Sequence, residues 1–177
     1  MKRICSFVLV LCLALSLLGC NSSKVIIDDK KTPNVEPGMI GYVMNKENTR
    51  ILVVSQVVQD FSSTGGVKEF YNAIWFSKAS KEIQIGDKVK VWFDEVLESY
   101  PGQSEAKHIE VVTSEKPKGA NLDESQALSA ALTSKEISTN EVIVLKSITY
   151  DKSADRWNIA LKETWGDKIY NIQVEDK

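Results

Sequence analysis

The stretch from Gly86 to Asp94 reads GDKVKVWFD, and it decides the fold class because apolar residues recur at every second position. Alternation of this kind indicates a β-strand whose side chains point to opposite faces. The first face holds Val89, Val91 and Phe93, and the second holds Lys88, Lys90 and Trp92. One face is therefore expected in a core, and the other is expected to meet solvent or a partner.

Short strands are also predicted on both sides of this stretch. They lie at residues 40–45, 50–55, 73–77 and 107–112. In Tyr100-Pro101-Gly102-Gln103, proline and glycine hold the two central places of a type II turn. Five short strands in one continuous segment predict a small five-stranded barrel of the OB type over residues 39–112.

The C-terminal part of the sequence predicts a small α+β module. Residues 113–120 are expected to be a linker, and Asn121 with Glu124 resembles a capping box at a helix start. Apolar residues at helical spacing follow at Ala127, Leu128, Ala131 and Leu132. Three strands are predicted at 141–150, 157–163 and 168–174. Residues 121–177 are therefore expected to form one helix on a three-stranded antiparallel sheet, and the fold class of the whole chain is mainly β.

The first nineteen residues predict a signal peptide. Lys2 and Arg3 precede an apolar run, 4–18, that is shorter than the roughly 20 residues of a spanning helix. The ending Leu17-Leu18-Gly19-Cys20 resembles the lipobox of bacterial lipoproteins. That resemblance implies cleavage before Cys20, lipid on its thiol, and a place on the extracytoplasmic face of the cell membrane. The alternative is an ordinary secretory signal with a chance cysteine. Residues 20–38 are then the lipidated cysteine and a flexible tether.

Cysteine usage and charge exclude several classes of protein. Cys5 and Cys12 lie in the predicted signal peptide, so the mature chain has no free thiol and no disulfide. Without Lys2 and Arg3, 20 of the 22 basic residues remain against 24 acidic ones, which gives a net charge of −4. A chain without basic excess carries no electrostatic footprint for nucleic acid. We expect a monomer without a cofactor.

Several segments in order resemble a known family. They are Gly41-Tyr42-Val43, residues 51–55, residues 73–77, Gly86 to Asp94, and Glu98 to Gln103. Together they look like the YobA-like family of Gram-positive lipoproteins, whose shared core is a domain of unknown function. The resemblance implies an OB-like barrel on a lipid anchor and brings no known activity or catalytic residues. From Asn121 onward the chain is loosely similar to modules of the PepSY type.

Few residues offer catalytic chemistry. His108 is the only histidine and is expected to be a half-exposed strand residue, so a nucleophile with a histidine base is not predicted. No metal site is predicted either. Acidic residues near the end of the GDKVKVWFD strand, Asp94 and Glu98, support a competing hypothesis of an envelope hydrolase.

Aromatic residues support a binding hypothesis instead. Trp75, Trp92 and the turn residues Ser99, Tyr100 and Gln103 are the candidate contact residues. A tryptophan on the polar face of a strand is either a contact residue or a lid over a loop. We expect a non-enzymatic module that binds a protein, a peptide or an envelope component, with Trp92 dispensable for folding. A third hypothesis is an inhibitory or structural lipoprotein that acts through residues 121–177.

The lipid attachment has a direct test. Cys20→Ala should abolish incorporation of radiolabelled palmitate, because the Cys20 thiol is the only lipid acceptor of the mature chain. The variant should be secreted or remain uncut. Label in the variant at the level of the parent chain would contradict the prediction.

Overall fold

The computed structural model describes residues 32–177. Residues 1–31 lie outside the described part, and the predicted signal peptide, Cys20 and most of the predicted tether fall there. The described residues form nine strands and one helix. The elements are β1 Met39–Glu47, β2 Arg50–Gln59, β3 Phe70–Ser77, β4 Lys88–Trp92, β5 Gly102–Glu105, β6 His108–Val112, α1 Glu124–Leu132, β7 Ile143–Asp151, β8 Arg156–Glu163 and β9 Ile169–Glu175. The prediction of a mainly β chain is confirmed.

The first six strands form one sheet in the order β5-β3-β2-β1-β4-β6. All its neighbours are antiparallel except β3 and β5, which are parallel, with Ile74 opposite Gly102. The predicted type II turn at Tyr100 to Gln103 is wrong, because Gly102 does not have the positive φ that the third residue of such a turn needs and instead begins β5. The strand needs glycine, since a Cβ at this position would lie 2.8 Å from Val96 Cγ1.

The closed barrel of the OB type is not confirmed. The pairings among the described strands give an open order, in which β5 and β6 are the terminal strands of the sheet. The predicted alternation of β4 is observed in the structure. Val89 and Val91 lie in one apolar cluster with Val43, Val53 and Phe76.

The opposite face of the same sheet is also apolar. Tyr42, Leu52, Val54 and Tyr71 belong to a second cluster, which they share with α1 and the last three strands. Strands covered on both faces consist of nearly continuous apolar residues, as in the ILVVS run of β2. The central strands are therefore sandwiched between two apolar clusters.

The last three strands form an antiparallel sheet in the order β7-β8-β9. Its inner side packs with α1 through residues such as Leu161, Ile172 and Leu128, which are all at most 2% exposed. Trp157 is a core residue, as predicted. No helix of the described residues is long and apolar enough to cross a membrane.

The N-cap of the helix lies two residues later than predicted. Asp123 is the N-cap, and its side chain and that of Gln126 accept each other's backbone N–H bonds at 2.9 Å. The predicted cap residue, Asn121, instead donates its side-chain amide to the Asp176 carbonyl at 3.0 Å. A capping box satisfies two of the free N–H groups at a helix start. Asp123 and Gln126 have the same three-residue spacing as the predicted pair, two positions further along the chain.

Asp176 holds the end of β9 against this helix start. Its carboxylate accepts the backbone N–H groups of Asn121 at 2.5 Å and Leu122 at 2.8 Å, and the Trp157 indole N–H at 3.1 Å. Burial by itself would raise the pKa of Asp176, but the three donors outweigh it and lower the pKa.

Gly86 brings the first sheet into direct contact with the helix backbone. It has φ +94°, and a Cβ there would lie 2.3 Å from the Ser125 carbonyl oxygen. Beside it, the Asp87 carboxylate accepts the Ser125 hydroxyl at 2.8 Å. Only glycine allows this approach, because any side chain would separate α1 from the loop before β4.

Gly86→Ala should therefore destabilise the chain more than Gly65→Ala. Gly65 also has a positive φ, +83°, but nothing lies within 4 Å of its Cβ position. The left-handed backbone should cost about 1–2 kcal/mol at both positions. The clash at Gly86 should add about 1–3 kcal/mol. Urea titrations of the two variants measure the difference, and equal losses of unfolding free energy would show that the helix does not need this approach.

Candidate functional site

The structure separates the five predicted contact residues into four places. Trp75 and Gln103 are directly opposite each other on β3 and β5. Tyr100 joins a group of aromatic residues from other parts of the chain. Trp92 lies on β4, on a different part of the sheet, and Ser99 is an exposed loop residue whose hydroxyl donates to the Pro101 carbonyl at 2.8 Å.

Trp75 and Gln103 line an open groove of about 340 Å³, which we call the Trp75 groove. Its other lining residues are Arg50, Ser77, Glu95, Leu97, Ser104 and Glu105. The Arg50 guanidinium carbon lies 4.9 Å from the centre of the half-buried Trp75 ring. A cation over an indole at an exposed site contributes about 0.5–1 kcal/mol. The groove thus presents a flat aromatic face, a guanidinium group and an amide together.

Acidic groups border the Trp75 groove. Glu105 forms an ion pair with Lys78 at 2.8 Å, and the Lys78 hydrogen bond lowers the pKa of Glu105. On its other side, Trp75 borders a second groove of about 450 Å³, where Asn140 and Glu141 are among the lining residues. Polar groups around a half-buried aromatic ring can orient a bound segment.

Tyr100 belongs to an aromatic cluster that the sequence did not predict. The cluster consists of Phe61, Phe70, Tyr100 and Trp165. The Tyr100 and Trp165 ring centres are 4.9 Å apart, and the Tyr100 hydroxyl donates to the Tyr71 carbonyl at 3.2 Å. Burial raises the pKa of Tyr100. Trp165 is nevertheless 52% exposed, and its position in the turn Trp165-Gly166-Asp167 is the sequence signal for an exposed ring.

Trp92 is buried, so the predicted exposure of its ring is wrong. It lies on the face opposite Val91, as predicted, but it is only 7% exposed. Its indole N–H donates to the Val35 carbonyl at 2.7 Å, and its ring contacts His108 at 5.0 Å between centres. The described end of the predicted tether covers this face, which favours the alternative of a lid.

His108 is also buried, at 4% exposed, and the prediction of a half-exposed residue is wrong. Neither ring nitrogen has a hydrogen-bond partner among the described residues, and Nε2 lies 3.7 Å from Glu110 Oε1. Glu110 accepts the Thr32 hydroxyl at 2.5 Å and lies 3.6 Å from Lys90 Nζ. The segment that covers Trp92 therefore also covers this polar pair.

The acidic residues of the hydrolase hypothesis are exposed. Asp94 lies 3.3 Å from Lys107 Nζ in an ion pair open to solvent, and Glu98 is an exposed loop residue. Exposed pairs of this kind contribute little to stability. Within residues 32–177, no group of three or more His, Cys, Asp or Glu side chains could hold a metal ion.

A charged network links the two sheets beside the aromatic cluster. Lys146 of β7 forms an ion pair with Glu69 at 2.6 Å, and Lys162 of β8 lies 3.4 Å from the same carboxylate. The Tyr71 hydroxyl donates to Glu69 as well. Hydrogen bonds from Lys146 and Tyr71 lower the pKa of Glu69 to about 2.

Comparison with known proteins yields a family without a known activity. Residues 40–113 match the model of a family described as "Protein of unknown function (DUF3221)". Over 107 residues the chain is 27% identical to the "Uncharacterized protein YobA" of Bacillus subtilis (strain 168), and the match covers 54% of this chain and 86% of that protein. No solved structure gives a significant match. The first sheet is therefore similar to proteins of unknown function, whereas the lipid anchor and the PepSY-like similarity remain predictions.

Trp92→Ala should destabilise the chain by about 3–5 kcal/mol, as expected for the loss of a buried tryptophan. Trp165→Ala is the comparison, because its ring is 52% exposed and the loss of its edge contacts with Phe70 and Tyr100 should cost only about 1–2 kcal/mol. Urea titration of both variants compares the two sites. Similar small losses would mean that residues 32–38 do not cover Trp92 in solution.

Proposed function

We propose that the chain is a non-enzymatic binding module, held at the extracytoplasmic face of the cell membrane by lipid on Cys20, and that its contact surface is the Trp75 groove. The observation that carries this proposal is the stacking of Arg50 on the half-buried Trp75 ring, with Gln103 opposite on the next strand. The partner is a protein or a peptide, because an aromatic face, a guanidinium group and an amide recognise apolar side chains, carboxylates and peptide groups.

Rigid support favours recognition at this groove. Trp75 and Gln103 lie on paired strands, so their positions are fixed by the ladder between β3 and β5. Contact residues on strands lose little conformational freedom on binding. The acidic Glu95 at the edge of the groove favours a partner segment that carries at least one basic group.

The fold proposal is that the first six strands form an OB-like barrel. Its support is the parallel pairing of β3 with β5 and the short connection from β5 to β6. In that connection, the Ala106 N–H donates to the Ser77 carbonyl at 3.2 Å and the Lys107 N–H to the Trp92 carbonyl at 2.8 Å. The connection between the terminal strands β5 and β6 is thus hydrogen-bonded to the ends of both β3 and β4.

Site-specific crosslinking in intact cells tests the binding proposal. A photoreactive benzophenone amino acid in place of Gln103 should give a discrete crosslinked species. The same residue in place of Gln173, an exposed glutamine of β9, is the matched control and should give none.

Arg50→Gln in the Gln103 crosslinking chain should reduce the yield about two- to fivefold, which corresponds to the roughly 0.5–1 kcal/mol of an exposed charged contact between the guanidinium and the partner. Arg50 is the first residue of β2 and its side chain is 43% exposed, so the change should leave the fold intact. Equal crosslinking from both glutamine positions, or a yield that Arg50→Gln does not change, would remove the Trp75 groove as the contact surface.

A further inference from the structure

The loop between β2 and β3 and the turn between β8 and β9 expose apolar side chains next to one another. Val58, Val67 and Trp165 line a shared groove of about 600 Å³. Phe61 joins them through Phe70, since the Phe61 and Phe70 ring centres are 5.5 Å apart and those of Phe70 and Trp165 are 6.0 Å apart. We call this set, together with Ile169 at the start of β9, the apolar rim. Its five exposed members are each 41–52% exposed: Val58, Phe61, Val67, Trp165 and Ile169.

The apolar rim is held in place by its own loop. The Phe61 N–H donates to the Val67 carbonyl and the Gly66 N–H to the Phe61 carbonyl, both at 2.9 Å. Asp60 accepts the Ser62 N–H at 2.8 Å, which fixes the start of the loop. The exposed Phe61 ring is therefore presented by a closed loop, and its exposure does not result from a loose chain end.

We infer that the apolar rim rests on the surface of the lipid bilayer, with Trp165 and Phe61 in its interfacial layer. Tryptophan and tyrosine favour this layer because one side of the ring is apolar and the other can meet water. The charged residues that line the same groove are balanced, with Lys68 and Lys162 against Glu69 and Asp167. A surface without net charge suits a zwitterionic lipid headgroup better than a strongly charged partner.

The position of the proposed anchor makes the bilayer the nearest apolar surface. This step rests on the proposed lipid attachment at Cys20. Eleven residues separate Cys20 from Thr32, and the twelve steps from Cys20 to Thr32 reach at most about 40 Å when fully extended. An anchored domain thus stays close to the headgroups, so a weak apolar contact suffices to orient it.

Quenching of tryptophan fluorescence by brominated lipids tests the inference. The chain from Cys20 to Lys177 contains every described residue and a single thiol, so it can be coupled through Cys20 to a maleimide-headgroup lipid. The vesicles are phosphatidylcholine brominated near the top of the acyl chains. This attachment does not depend on acylation in cells, so failure of the proposed anchor in cells and failure of the apolar rim are distinguishable.

One of the chain's four tryptophans should be quenched, and Trp165→Phe should abolish the effect. Trp75→Phe is the matched control and should keep it. A Phe61→Ser, Val67→Ser double variant keeps the Trp165 reporter and should lose most of the quenching.

Three results would overturn the inference. The first is coupled protein without any quenching, and the second is quenching that survives Trp165→Phe. The third is an unquenched chain that sediments as a dimer and that Trp165→Phe converts to a monomer. That last result would assign the apolar rim to a second copy of the chain.

Discussion

Burial of the central strands on both faces is the constraint on which the rest of the structure depends. Val43 and Val53 point into one apolar cluster, and their neighbours Tyr42 and Val54 point into the other. A sheet that is apolar on both sides must be covered on both sides. The helix and the second sheet supply the second cover, so residues 121–177 complete a core that the first six strands cannot close by themselves.

Polar contacts fix the position of the helix and the second sheet on the first sheet. Gln56 of β2 donates to the Leu145 carbonyl of β7 at 3.2 Å, the Tyr42 hydroxyl donates to Glu124 of α1, and Lys146 pairs with Glu69. These contacts lie around the shared core, where the surfaces of the two sheets meet. The second groove beside Trp75 and the apolar rim both lie along that junction, because loops from both sheets line them.

Sequence patterns predicted the local elements better than the surfaces. Alternation located β4, and the helical spacing of Leu128 located α1, since each pattern depends only on nearby residues. The same alternation placed Trp92 away from Val91 correctly, yet it could not show that residues 32–38 cover that face. Cover by a distant segment leaves no periodic signal.

The candidate site likewise contains residues that the sequence predicted and contacts that it did not. Trp75 and Gln103 were predicted as contact residues, and their pairing required β5, which the Pro101-Gly102 pair concealed because that dipeptide is typical of a turn. The aromatic cluster brings Phe61 and Trp165 together from positions more than a hundred residues apart. Such a cluster depends on tertiary packing and cannot be read from spacing.

Native-state hydrogen exchange tests the shared core most directly, because it gives the opening free energy of individual amides. The amides of Val53 in β2 and Leu161 in β8 lie in paired strands of different sheets. If the two sheets unfold as one unit, both amides should exchange only through global unfolding and show the same free energy and the same dependence on denaturant. Exchange of Leu161 at a distinctly lower free energy, while Val53 stays protected, would contradict a single core.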